Sequence, residues 1–143
     1  MKKEQILVAA AIIERLGEYL ITQRLAGKHL AGKWEFPCGK VEFGEDPKER
    51  LMIEIKEELG IETKEGVGNE VHVSKLLGYS SFVYENNRHV ILLAFSGFLG
   101  SLVQVRKIGV QDYKWVSPKE MRKYDFCEAD RLFVKKLQKG DLR

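Results

Sequence analysis

Cysteine is scarce in this chain of 143 residues: there are two, Cys38 and Cys127. Two cysteines do not make a disulfide framework. Free thiols in a reducing cytoplasm are the expectation. Charge of one sign is also lacking. The net charge is +3 and the pI about 8.8, which suits a small anionic ligand and is too weak an excess to argue for a nucleic-acid polymer. No apolar run is long enough to span a membrane. The run ILVAAAII (6–13) follows Met1-Lys2-Lys3, but Glu4 interrupts that basic start and the charged ERLGE follows at once. A signal peptide is therefore not expected. Internal repeats, low-complexity tracts and Pro/Gly-rich linkers are missing too, which leaves one domain over residues 1–143.

What is present fits a globular chain. Hydrophobic residues make up 44% and charged residues 31%, enough apolar mass for a core without staples. Residues 4–13 predict a strand, ERLGE a turn with Gly17 at its permissive position, and YLITQR (19–24) the returning strand. LAGKHLAGK (25–33) reads as a loop and WEFP (34–37) as a short extended piece. The segment EFPCGK reads as a turn into a helix. Asp46 is a natural N-cap, Pro47 fits the first helical position, Glu49 completes a capping box and Gly60 is the natural stop. Residues 70–84 and 88–98 predict a hairpin around ENNR. DYKWVSP (112–118) predicts a final strand, Ser117 to Glu120 opens a short helix, and Asp125 with Glu128 caps a last helix through residue 139. Strands with two principal helices predict an α/β sheet covered by helices.

One stretch of that first helix carries the functional signal. Glu54, Glu57 and Glu58 fall within an arc of about 100° at about 100° per residue, beside an apolar stripe of Leu51, Met52, Ile55 and Leu59. Like charges so placed repel. E-x-x-E-E in a Lys/Glu-rich helix is often only a solvated face. Here Gly39 and Glu45 precede the cluster behind a turn, and a divalent cation would turn the repulsion into coordination. Hard Mg²⁺ takes carboxylate oxygens and bridges phosphates. The missing partners implied are a metal ion and a polyphosphate.

These residues resemble the Nudix box, G-x5-E-x7-R-E-U-x-E-E-x-G-U, over residues 39–61. Gly39, Glu45, Glu54, Ile55, Glu57, Glu58, Gly60 and Ile61 match, and Ile53 stands at the arginine position. ITQRLAGKHLAGKWEFPCGKVEFGE extends the resemblance to the MutT-like branch, which includes oxidised-nucleotide and CTP pyrophosphohydrolases. The resemblance implies a Nudix fold, an α/β/α sandwich with a mixed β-sheet. It implies Mg²⁺, with Mn²⁺ as an alternative, on Glu54, Glu57, Glu58 and the carbonyl of Gly39, and Glu45 supporting the box loop. Arg24 and Lys40 sit where related enzymes contact phosphates, and His29 near the nucleotide. Each is otherwise an ordinary surface residue. Trp34, Phe36 and Phe82 line the base pocket or pack the core.

The pattern breaks in three places. Arg50 and Glu54 are an i,i+4 pair, so Arg50 takes part of the orienting role that Ile53 cannot. MutT-like members often carry a glutamate about six residues before the strand tryptophan, here Trp115. That register falls on Gly109, and Asp112, the nearest acid, points to the opposite face. At the start of the last helix, where relatives place Asn or Asp, stands Asp130. Its carboxylate suits a cytosine amino group or the guanine edge without choosing between them. Cys38 and Cys127 read as packing thiols. The expected activity is cleavage of a nucleoside triphosphate, 8-oxo-dGTP-like or CTP-like, to monophosphate and pyrophosphate by a cytoplasmic monomer or homodimer. The alternatives are hydrolysis of another nucleoside diphosphate derivative, a dinucleoside polyphosphate or nucleotide sugar, or nucleotide binding with weak turnover.

Overall fold

The chain was analysed as a computed structural model, which describes residues 2–61, 71–100 and 103–142. Seven strands form one mixed sheet flanked by two α-helices. Strand β1 (Glu4–Arg15) is its centre. It pairs in parallel with β6 (Arg88–Leu99), from Glu4 opposite Arg88 to Ile13 opposite Gly97. On its other side it turns through Leu16 and Gly17, both at positive φ, into β2 (Glu18–Gln23). Gly17, at φ 83°, supplies the left-handed conformation that a two-residue hairpin needs. Beyond β2 lies β3 (Trp34–Glu35), and β7 (Asp112–Val116) also pairs with β2. The expected hairpin forms from β5 (Val71–Tyr84) and β6; residue 70 lies outside the described residues.

Alternation along β1 explains the two layers. Ala9, Ala11 and Ile13 face Leu51, Ile55 and Leu59 of α1 (Pro47–Glu58). Ala10 and Ile12 face Phe133, Val134 and Leu137 of α2 (Arg131–Lys139). Small residues in β1 let both helices approach the sheet closely. The α/β/α sandwich is as expected. Among the described residues, no helix is long and apolar enough to cross a membrane.

Three local expectations need correction. Residues Cys38–Lys40, read as part of a turn, are strand β4, antiparallel to β1 through Val8, Ala9 and Ala10. Three residues are too few to show a period; the pairing with β1 makes the strand. Asp46 caps α1 by accepting from the N–H groups of Lys48 and Glu49, but Glu49 returns no side-chain bond, so the capping box there is half made. The reciprocal box forms instead at Ser117 and Glu120, opening a 3₁₀ turn over Pro118–Lys123. Asp125 does not cap the last helix. Its carbonyl accepts from Trp34 N, its carboxylate pairs with Arg131 at 3.2 Å, and a 3₁₀ turn, Glu128–Asp130, comes before α2.

Candidate active site

The acidic residues converge because a strand and a helix touch without an intervening side chain. A Cβ on Gly39 would lie 2.2 Å from Cγ of Glu54. Glycine there lets β4 run directly under the α1 glutamate. On the far side of α1, the 106–109 segment docks on the end of the helix. Gly109 N donates to the Glu58 carbonyl at 2.8 Å, and Ile108 N to the same oxygen at 3.2 Å. A Cβ on Gly109 would stand 3.0 Å from the Glu58 Cα.

Between these contacts opens a cleft of about 290 Å³. Ile6, Val8, Val90 and Leu92 form its apolar floor, from the paired strands β1 and β6. Gly39, Lys40, Glu54, Glu58 and Gly109 line it together with Arg24, His29, Glu35 and Asp130. Seven of the residues singled out in the sequence therefore line one cleft: Gly39, Glu54, Glu58, Arg24, His29, Lys40 and Asp130. Glu57 is exposed and is not among the lining residues. Trp34 and Phe36 are buried in the core under α2, while Phe82 is partly exposed and packs edge-on against Tyr84. None of the three lines the cleft.

Electrostatics around the helix glutamates suit a cation. Burial, with Glu35 and Glu54 nearby, pushes the Glu58 carboxyl up to about 8; Lys28 and Arg24 oppose the rise. Glu54 is held from behind. Arg50 donates from Nη2 to Glu54 Oε1 and lies 3.6 Å from Glu45 Oε2 through Nη1. Glu45 in turn accepts from Glu42 N at 2.7 Å, closing the loop that leads into α1. Arg50 thus bridges the loop acid and the first helix glutamate, the contact expected of it. Ile53 is 46% exposed. An all-oxygen donor set, with Glu54 and Glu58 aimed into the cleft over a glycine cradle, fits a hard divalent ion.

The cleft is more heavily charged than the sequence suggested. Glu35 alternates with the core residues Trp34 and Phe36 and so points to the opposite side, into the cleft. Arg24 pairs with it at 3.2 Å and also donates to the His29 carbonyl at 2.7 Å. Asp130 is 4% exposed and accepts from Phe36 N at 3.1 Å. Burial, then the charge of Glu35, holds Asp130 well above the usual carboxylate range; the Phe36 N–H and Arg24 pull the other way. His29 packs edge-on against Tyr84 at 5.3 Å, and burial, Arg88 and Arg24 lower its basicity. Lys40 is exposed and lies 3.7 Å from Glu42. Cys38 and Cys127, read as packing thiols, both line the cleft. Asp112 starts β7, pairs with Lys107 at 3.1 Å and lies outside the lining.

Sequence reasoning missed Glu35, Lys28, Tyr84 and Arg88, which also line the cleft. Glu35 had a usable signal: a carboxylate between Trp34 and Phe36 in an extended segment must face away from the side those rings bury.

Comparison with known proteins agrees with this geometry. A family model described as NUDIX domain matches residues 8–136. The CTP pyrophosphohydrolase of Escherichia coli K12 is 37% identical over 127 residues, covering 89% of this chain and 87% of that protein. The 8-oxo-dGTP diphosphatase of the same organism is 48% identical over 60 residues, a match confined to 42% of this chain and 46% of that one. The crystal structure of the MutT protein from Methanosarcina mazei Go1 superposes with a TM-score of 0.78 at 26% identity, covering 99% of this chain and 98% of that one.

Proposed function

This chain belongs to the NUDIX domain family and is a Nudix hydrolase, and on that premise we propose that it cleaves a nucleoside triphosphate, CTP-like or 8-oxo-dGTP-like, to the monophosphate and pyrophosphate. One observation carries the reading. A single cleft is lined both by Glu54 and Glu58 over Gly39 and by Asp130, which is 4% exposed. A triphosphate needs cation-binding oxygens and a base needs a hydrogen-bonding edge.

The cofactor is a divalent cation, and Mg²⁺ is the ion proposed, with Mn²⁺ as its substitute. Glu54, Glu58, the solvent-facing Glu57 and the Gly39 carbonyl would hold it. When bound, it supplies charge neutralisation on the phosphates and acidifies water. Arg50 and Glu45 fix Glu54. Arg24 and Lys40 supply donors along the cleft for phosphate oxygens, His29 lies near the nucleotide, and Asp130 meets the base. Burial raises its carboxyl well above the usual carboxylate range, and a carboxyl that keeps its proton both donates and accepts, which suits the mixed edges of cytosine and guanine. The proposed setting is cytoplasmic, with a free nucleotide and no polymer as substrate.

A panel of nucleotides at low concentration, ranked by kcat/KM with chromatographic identification of products, tests this. Monophosphate and pyrophosphate should appear with Mg²⁺ and not with chelator. Asp130→Ala should flatten the ranking among bases, at a cost of about 1–3 kcal/mol for the best substrate. Absence of pyrophosphate for every triphosphate, with turnover of a dinucleoside polyphosphate or nucleotide sugar, would overturn the substrate assignment.

A further inference from the structure

Three ligand-type atoms meet among the cleft residues, none of them from the helix glutamates. They come from Glu35, Cys127 and Asp130, and all lie within 4.8 Å of one another. The Cys127 thiol is 4.0 Å from Glu35 Oε1. The backbone holds them there. Cys127 N donates to the Trp34 carbonyl at 2.9 Å, Asp130 N donates to the Cys127 carbonyl at 3.0 Å, and Phe36 N donates to Asp130 Oδ2. Both neighbours of Glu35 are thereby clamped to the segment that carries the other two ligands. Cys127 is 3% exposed and Asp130 4%. The second oxygen of Asp130 accepts no hydrogen bond, yet the residue lines the cleft.

The geometry points to a second metal site here, for a zinc-class cation held by the Cys127 thiolate and the carboxylates of Glu35 and Asp130, with its remaining position open to the cleft. The donor set separates it from the first site. Sulfur with two oxygens selects borderline and soft ions, whereas the all-oxygen set at Glu54 and Glu58 selects hard ones. The distances come close. At Zn–S of about 2.3 Å and Zn–O of about 2.0–2.2 Å, tetrahedral ligand atoms stand roughly 3.5 Å apart. The present spacing, within 4.8 Å, is about 1 Å wider than that. The charges also close. Three anionic ligands with Arg24 on Glu35 sum to two negative charges, which one divalent ion cancels. The protons of Cys127 and Asp130 leave as it binds. Binding stands on this geometry alone. Its consequence, that zinc blocks the part of the cleft proposed for the base, rests on the proposed function.

Cobalt(II) is the probe. With excess Mg²⁺ filling the hard site, one equivalent of Co²⁺ should give a thiolate-to-cobalt charge-transfer absorption, bleached by one equivalent of Zn²⁺. Cys127→Ser should abolish the band, Asp130→Asn should weaken Co²⁺ binding by at least about tenfold, and Cys38→Ser should keep the band. No band in the wild-type protein overturns the site, whatever the variants do. So does a band that survives Cys127→Ser or disappears only in Cys38→Ser. Wild-type titration needs no variant to fold. Pyrophosphate release with Mg²⁺ alone reports on the hydrolase reading separately. If zinc bleaches the band and turnover continues at full rate, the site stands and its overlap with the base does not.

Discussion

Glu58 is the residue whose environment contradicts its charge most directly. Its carboxyl is pushed from an ordinary 4.5 to about 8 by burial, Glu35 and Glu54. The sign of the consequence follows from linkage. The folded protein holds this proton more tightly than the unfolded chain, so the stabilisation is full below about pH 4.5 and is lost as pH rises through about 8. In chelator, Tm should fall between those limits, and Glu58→Gln should flatten the slope. Mg²⁺ should flatten it too, by taking over the role of the proton. Scanning calorimetry at several pH values checks all three; an unchanged slope in Glu58→Gln would remove Glu58 as its source.

Two further residues set the position of Glu54. Gly39→Ala would put a Cβ 2.2 Å from Cγ of Glu54 and force the side chain aside. A displacement on the order of 1 Å costs about 100-fold in rate, so kcat should fall by at least that much, measured beside a circular-dichroism melt. Arg50→Ala should lower kcat or raise the Mg²⁺ requirement; because its pairs with Glu45 and Glu54 are half-buried, a melt on the same variant separates loss of activity from loss of fold. Ile53→Arg should do little alone and should restore activity in the Arg50→Ala background. Full activity of Arg50→Ala would make Arg50 an ordinary surface residue.

At the scale of elements, what the sequence made legible was local. Asp46, Pro47 and Gly60 mark both ends of α1 within one stretch of chain, and the helix begins and ends within two residues of them. The β5–β6 hairpin is equally local. Strand β4 and the cleft role of Glu35 were not legible, because each depends on a remote partner. β4 exists through β1, and Glu35 meets Cys127 across 92 positions of sequence. The thiols pack as expected, Cys127 at 3% exposed and Cys38 against the α2 core, but the approach of Cys127 to Glu35 was not legible for the same reason. Gly109 is the instructive case. Its missing side chain reads as a lost acid, while its position shows why glycine is tolerated: the loop rests against the Glu58 backbone. Gly109→Ala should therefore cost about 1–3 kcal/mol as overpacking. Gly109→Glu should lower activity, although it restores the residue type common among relatives. Denaturant melts and kcat on both variants decide this; a gain in turnover for Gly109→Glu would contradict the packing account.

On the scale of the whole molecule, two cores share one sheet, and the cleft opens over strands β1 and β6 that belong to both. Phe133 is fully buried beneath α2, three residues after Asp130. Phe133→Ala should destabilise by about 3–5 kcal/mol, lowering Tm by about 10–20 °C for a chain of this size. At 25 °C the loss should appear in base selectivity before it appears in metal dependence, since α1 packs on the other face. Kinetics with two nucleotides and a Mg²⁺ titration on the one variant separate these effects.

The parallel pairing of β1 with β6 also has a consequence in time. Each residue of β1 waits for a partner 84 positions later, as Gln5 does for His89. At about 5–20 residues per second, a ribosome takes roughly 4–17 s to supply it. Throughout that interval the run VAAAII lacks its parallel neighbour β6, and although α1 is complete after residue 58, the helix that covers the other face, α2, is not yet made. A nascent chain arrested before residue 88 should therefore bind chaperones and aggregate when released, whereas one arrested with β6 emerged should resist protease over β1.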